Sequence, residues 1–557
     1  MRLLPATRRR TARLVQTIAL IAISGCGRDA GRGGTIVIGV GADPGTLFPP
    51  LARQKEARTV TDLLFDKLAD LGPSLNTVGD AGFQPRLARS WEWSQDSLAV
   101  TFHLDPRARW HDGRPVRAAD VRFAFAVYTD NVVGARTAGE LRGAIDSVSV
   151  TDSLSCTAWF RQHTPEQFYT LVSTVTPLPE HLLGKTPRDS LATSEFARAP
   201  VGNGPFRFVR WEPAQRVEIA AVDDFFRGRP SVDRVIWTIS PQPSTLVQQL
   251  KAGETDFLEM LSPADITDSV KLSGVRIIRR GNFDYNFLTF NLYDGPSDRP
   301  HPVFADRALR RALTMALDRA ALRRSVFDSL GAVALGPFVR LQWAADTSLR
   351  QIPFDRAAAE RVLDSLGWRA GADGTRSRGG RALGFTLLVP TTSAYRQNYA
   401  VLIQAQLRQI GVKVTIEKPD YPAFATSLLE HRFEAAIDSR QTTPSPSGIR
   451  QSWTSSAAVA GGFNTGRYQS GAFDAHVDSA LMAPDVRLAR AHYRSAYQII
   501  IDDAAAIWLY EPPQLSGAQA RLLIGPLRAD AWWETIPTWK VAATSRVPRD
   551  ATAAKSP

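Results

Sequence analysis

The hydrophobic pattern alternates between two periods along the chain. In Ala99–Leu104, the apolar residues Val100, Phe102 and Leu104 alternate with Thr101 and His103, the period-two signature of a half-buried strand. Trp91–Trp93 reads as a strand before it. Asp105-Pro106 and His111-Asp112-Gly113 read as tight turns, because Asp and Gly tolerate the backbone angles that turns need. A helix should open at Ala118 and present Val121, Phe123, Phe125 and Val127. Gly34–Val40 is an apolar strand, and 59–68 is helix-like. Asp146–Phe160 reads as a hairpin pair and Pro165–Pro179 as a helix. Ser244–Ala252 is a helix stopped by Gly253. In Val303–Leu322, Leu309, Leu313, Ala316, Leu317 and Leu322 recur at helical spacing. Phe354–Trp368 is helical, and a Gly- and Arg-rich loop at 370–384 leads to a strand at Phe385–Val389. Tyr399–Ile410 is a helix stopped by Gly411, and strand Val412–Glu417 follows.

A chain of 557 residues is too long for one core, so two or three lobes are expected. The formal charge of +12 overstates the basic character. Residues 1–25 hold five arginines and no acid, and without them 62 basic and 55 acidic residues leave +7. No basic stripe with interleaved aromatics occurs, which argues against nucleic acid as a partner. The first segment has the order of a secretory leader: arginines from Arg2 to Arg13, then LVQTIALIAIS, then small residues before Cys26. Ile23-Ser24-Gly25-Cys26 resembles a bacterial lipobox, so Cys26 is expected to be acylated and to anchor the chain in a membrane. Residues 1–25 are then the signal peptide and 26–33 a tether. Cys156, the other cysteine, should be a buried small apolar residue without a disulfide.

Several blocks together resemble one family. The stretch WEWSQDSLAVTFHLDPRARWHDGRPVRAADVRFAF (91–125) combines a Trp-rich hairpin, an "xHDGxP" turn and a helix. PVGNGPFRF (200–208), GETDF (253–257), FDRAAAERVLDSLGW (354–368) and the run from Phe463 to Tyr510 follow in family order. They resemble the family 5 extracytoplasmic solute-binding proteins, the peptide-, nickel- and oligosaccharide-binding components of ABC importers. The resemblance implies an α/β, periplasmic-binding-protein-like fold, with two hinged α/β lobes and an extra insertion lobe. Lobe I would be 34–73, 200–284 and 512–545, lobe II 74–199 and lobe III 285–511, with a disordered tail at 546–557. The chain would cross between lobes near Asn282–Tyr285 and Pro512–Leu515, and a ligand would lie between lobes I and III.

The same resemblance supplies the candidate ligand contacts. In the peptide-binding branch, an ammonium-binding aspartate sits in a "GWxADYxxP" segment. The matching run here is Asp438-Ser439-Arg440-Gln441-Thr442-Thr443-Pro444, with Arg440 in place of the Trp and Thr443 in place of the Asp. Asp438 could supply the missing carboxylate or point to another face of the strand. Arg440 is either a solvated loop residue or a fork for a ligand carboxylate or phosphate. Further candidates are Gln54, Glu259, Met260, Phe283, Tyr285, Gln441 and Tyr510, each as open to ordinary packing as to ligand contact. His103, or His111 with Asp112, does not make a metal motif, and no nucleophile elbow, P-loop or Rossmann glycine pattern is present. The expectation is a monomeric binding protein without catalysis, cofactor or metal. It would be lipid-anchored at the periplasmic or outer face of a bacterial membrane and would capture a small peptide or peptide-like solute. Its partners would be an ABC permease and ATPase. The alternative is a ligand sensor or chaperone-like peptide holder on the same fold that works without a permease.

Overall fold

A computed structural model describes residues 33–52, 54–267 and 274–551. The leader, Cys26 and nearly all of the tether lie outside these residues. Three sheets organise the chain. The first has seven strands in the order Val275–Arg280, Gln514–Gln519, Phe257–Leu258, Thr35–Val40, Arg234–Ile239, Arg216–Ala221, Phe206–Glu212. Thr35–Val40 runs parallel to both neighbours, and it is apolar on both faces because both faces are covered. The second sheet has five strands in the order Lys413–Glu417, Gly384–Leu388, Ala435–Gln441, Asp284–Phe290, Ala506–Tyr510. The third is a four-stranded antiparallel sheet ordered Ala88–Trp93, Ala99–Leu104, Ser155–Phe160, Ile145–Val150. The chain passes between the seven- and five-stranded units twice, at 281–283 and 511–513. The architecture is thus two α/β units joined by two crossings, with a third unit inserted in the first.

The Trp-rich block is held by specific bonds. Val100, Phe102 and Leu104 are buried, while Thr101 and His103 are half-buried. Trp110 donates its indole N–H to Asp120 Oδ2 at 3.1 Å, in the first turn of helix Ala118–Thr129, where Asp120 also accepts from the Arg117 backbone N–H. His111 is a structural residue. Its Nε2 donates to the Gly204 carbonyl at 3.0 Å and its Nδ1 accepts from Gly202 N–H at 3.2 Å. Burial holds the ring neutral, with its pKa lowered to about 4. The glycines of PVGNGPF are required here, because a Cβ on Gly202 would lie 1.9 Å from the Leu64 carbonyl oxygen.

Several local expectations change; the helix read at 399–410 spans Ala394–Arg408 and the one read at 165–179 spans Gln167–Thr174. The helix read at 59–68 spans Lys55–Leu64. The run 303–322 is two helices, Arg307–Met315 and Arg319–Phe327, because Asp306 and Asp318 each cap a new start with their side chains. The loop at 370–384 contains a small three-stranded sheet of Arg369–Ala370, Arg376–Arg378 and Arg381–Ala382. The tail read as disordered from 546 is structured through 551. Asp550 is buried, accepts from Thr35 N–H at 2.9 Å and pairs with Arg521 at 2.6 Å, and Arg521 also binds the buried Asp256. Residues 552–557 lie outside the described residues. Cys156 is buried on its strand, and burial pushes its thiol up to about 12. No helix among the described residues is long and apolar enough to cross a membrane.

Candidate functional site

A cleft of about 1340 Å³ lies where the three units meet. Its hinge side is made by the first crossing. Asn282 Oδ1 accepts from Asp284 N–H at 2.7 Å, and Asn282 Nδ2 donates to the Pro512 carbonyl, so the two crossings are tied together. The Phe283 carbonyl accepts from both the backbone N–H (2.7 Å) and the hydroxyl (2.9 Å) of Thr442. The strand Ala435–Gln441 is thereby extended into the cleft alongside Asp284–Phe290.

Register separates the polar groups of these two strands. Directly opposed residues of an antiparallel pair share a face. Tyr285 opposes Arg440 and Phe287 opposes Asp438, on one face; Asp284 opposes Gln441 and Asn286 opposes Ser439, on the other. On the first face the charges are consumed internally. Arg440 pairs with Asp438, donates to the Phe463 carbonyl at 2.6 Å and lies 5.4 Å above the Phe287 ring. Arg440 is therefore not a solvated loop residue: its two terminal nitrogens are engaged inside the protein, while it still borders the cleft. Asp438 lies three positions from Gln441, on the other face of the strand, and is paired with Arg440.

The opposite face is less satisfied. Asp284 accepts one long hydrogen bond, 3.3 Å from Gln514 Nε2, and has no ion-pair partner among the described residues. Burial raises its carboxyl above the ordinary range against the pull of Lys55 and Arg280. Arg396, at the start of helix Ala394–Arg408, donates to the Ser439 hydroxyl and has no carboxylate within ion-pair distance among the described residues. Both residues border the cleft.

The other sequence candidates divide. Asp438, Arg440, Glu259, Phe283, Tyr285, Gln441 and Thr443 also line the cleft. Glu259 is held by Lys55 and Arg280. Tyr285 accepts from Trp453 Nε1 at 2.9 Å and is buried. Thr443 donates its hydroxyl to the Ser445 carbonyl at 3.2 Å. Three candidates lie elsewhere. Gln54 is the exposed residue before helix Lys55–Leu64, Met260 is 59% exposed away from the cleft, and Tyr510 is buried behind it, stacked on Tyr399 with ring centroids 4.4 Å apart. Sequence reasoning missed Asp284, Arg396 and Glu166. Asp284 was adjacent to two residues singled out, and the crossing-strand argument that chose Phe283 and Tyr285 applies to it equally. Arg396 and Glu166 sit in segments without a motif, and only the fold brings them to the cleft.

Comparison with known proteins identifies the family and the fold. Residues 82–461 fit the family described as bacterial extracellular solute-binding proteins, family 5 Middle. The oligopeptide-binding protein AppA of Bacillus subtilis is 27% identical over 492 residues, covering 86% of this chain and 87% of AppA. The structure of that protein in complex with a nonapeptide superposes with a TM-score of 0.75 at 25% identity, covering 92% of this chain and 99% of that one. The ABC transporter substrate-binding protein CtaP of Listeria monocytogenes shares the fold, with a TM-score of 0.80 at 21% identity over 92% of this chain and all of that one. With more than half of its length matched by the family, the chain belongs to the family 5 bacterial extracellular solute-binding proteins.

Proposed function

We propose that this protein is the extracytoplasmic solute-binding lipoprotein of an ABC importer, anchored through Cys26, and that it captures a peptide or peptide-like solute between its two α/β units for delivery to a permease. The observation that carries the ligand class is the face bearing Asp284, Gln441, Ser439 and Arg396. It places a carboxylate with one long hydrogen bond and an arginine without a carboxylate partner on the wall of a cleft of about 1340 Å³. Drug-sized pockets span about 300–1,000 Å³, so the cleft suits an extended chain of several residues better than a bare ion or a single amino acid. The similarity to an oligopeptide-binding protein supports the same size class.

Charge refines the reading. Thr443 stands where peptide-binding relatives are expected to carry the ammonium partner, and Asp438 is committed to Arg440. Asp284 is left as the carboxylate available to a ligand cation, and Arg396 as the cation available to a ligand carboxylate. Simple free-amino dipeptides should bind poorly, because they cannot fill the cleft and meet no preformed ammonium site at position 443. Longer, acidic or N-blocked peptides should bind better. Native mass spectrometry of the purified protein identifies any co-purified ligand. Calorimetry with an unmodified dipeptide, a free-amino pentapeptide and its N-acetyl form then ranks the classes. Tight dipeptide binding indifferent to Asp284→Asn would refute this assignment. Closure over a bound peptide should also shrink the radius of gyration in small-angle scattering, and an unchanged radius with a verified ligand would count against a closing cleft.

A further inference from the structure

Glu166 is a carboxylate placed between units. It precedes helix Gln167–Thr174 of the inserted unit, yet two of its three side-chain partners belong to the five-stranded unit. Ser445 Oγ donates to Oε2 at 2.7 Å and Trp343 Nε1 donates to Oε1 at 2.9 Å, while Thr77 of the inserted unit also donates to Oε1. No cation pairs with it among the described residues. The inserted unit thus grips the 443–445 turn through the Ser445 hydroxyl. Within that turn, Gln342 Nε2 donates to the carbonyls of both Thr443 and Ser445 at 2.9 Å, and the Ser445 hydroxyl caps the short helix Pro446–Gly448. The conformation of the turn is therefore set from the inserted unit and from the 342–343 segment together.

A carboxylate is a costly choice for a contact that serves packing alone. Burial pushes the Glu166 carboxyl above its ordinary range, with Glu140 adding repulsion. Its advantage is that it only accepts, through two oxygens, so all three donors form charge-assisted bonds that are stronger than neutral ones. The contact is also reversible. If the units part, water solvates the carboxylate, whereas an apolar contact of similar strength would leave its surface exposed.

We propose that Glu166 is a positioning residue for solute binding: it latches the inserted unit onto the five-stranded unit and holds the 442–448 turn in its ligand-facing conformation. The ligand-facing role of that turn rests on the function proposed above; the latch itself does not. Hydrogen exchange of the purified protein, read by mass spectrometry without added ligand, tests it. Glu166→Ala and Trp343→Phe should each speed amide exchange at 442–448 about tenfold or more, and leave the four-stranded sheet at its wild-type rate. Glu166→Gln should keep most of the protection, because its amide oxygen still accepts from Trp343. Faster exchange confined to helix Gln167–Thr174 and the four-stranded sheet would assign Glu166 a role inside its own unit and overturn the latch. So would an unchanged or a uniformly raised pattern. Trp343→Phe alters the contact from the other side without touching the cap of the turn, and its effect at 442–448 decides the matter if Glu166→Ala fails to fold. Because the measurement uses no ligand, failure here leaves the solute-binding reading standing, and failure of peptide binding leaves the latch standing.

Discussion

The two sides of the cleft treat charge differently. On the wall formed with the C-terminal segment, Arg86 serves Asp70 at 2.8 Å, Glu534 at 3.0 Å and Asp66 at 3.7 Å, while Arg528 serves Asp70 and Asp530 at 2.7 Å and Arg227 also binds Asp66. Arg86 and Arg528 each answer more than one carboxylate. At the hinge, Asp284 has one long hydrogen bond and Arg396 donates to the Ser439 hydroxyl without an ion-pair partner among the described residues. A charge compensated inside the protein holds structure, and removing its partner strands a buried ion. A charge left partly unmet beside a water-filled cleft costs stability while it waits and returns that energy when a ligand pairs with it. By this criterion Asp438 and Arg440 belong with the wall, although they lie next to the hinge.

The contrast can be broken by mutation. The largest effect is expected from Arg86→Ala, which leaves buried Glu534 without its ion-pair partner and Asp70 with Arg528 alone, and should lower unfolding stability by about 3–5 kcal/mol, the scale for breaking one side of a buried pair. Chemical denaturation measures it, and a loss below about 1 kcal/mol would mean that water already screens the network. Arg440→Ala should cost about 2 kcal/mol of stability by leaving buried Asp438 unpaired, with little effect on ligand affinity. The reverse result, stable protein with weakened binding, would restore Arg440 as a ligand fork. Asp284→Asn and Arg396→Ala should each weaken binding of an extended peptide by about 1.5–3 kcal/mol, roughly 10- to 150-fold, with stability nearly unchanged. The smallest effect is a slope with pH. Burial, with Asp70 and Asp62 nearby, raises the Glu534 carboxyl from 4.5 to about 7. As pH rises, the unfolded chain therefore releases this proton first. The stabilising contribution is whole below pH 4.5 and is lost as pH rises towards 7. Glu534→Gln should flatten the pH dependence across that window. Parallel stability–pH curves for wild type and variant would show that Arg86 cancels the burial.

Local pattern carried far along this chain where the interactions are local. Strand Ala99–Leu104 and helix Ala118–Thr129 follow from a period-two run and a turn. The stop at Gly253 is a left-handed position at φ 71°. The two helices of 303–322 were also written locally, in Asp306 and Asp318, but helical periodicity continues through both caps and hides them. The tail at 546–551 was illegible for another reason: Asp550 is ordered by Thr35 and Arg521, and neither is near it in sequence.

For the cleft, the sequence by itself determined the family and the segments that cross between the units. Those are matters of residue identity and order. Only the tertiary structure decided which polar groups are still free to meet a ligand. Asp438 and Asp284 are chemically identical, yet strand register pairs one with Arg440 and leaves the other on the opposite face. Glu166 gained its partners only when 77, 343 and 445 were brought together by folding. Whether a carboxylate is satisfied depends on every donor within about 3 Å, the reach of a hydrogen bond, and that neighbourhood is assembled from segments too distant in sequence for any local pattern to encode.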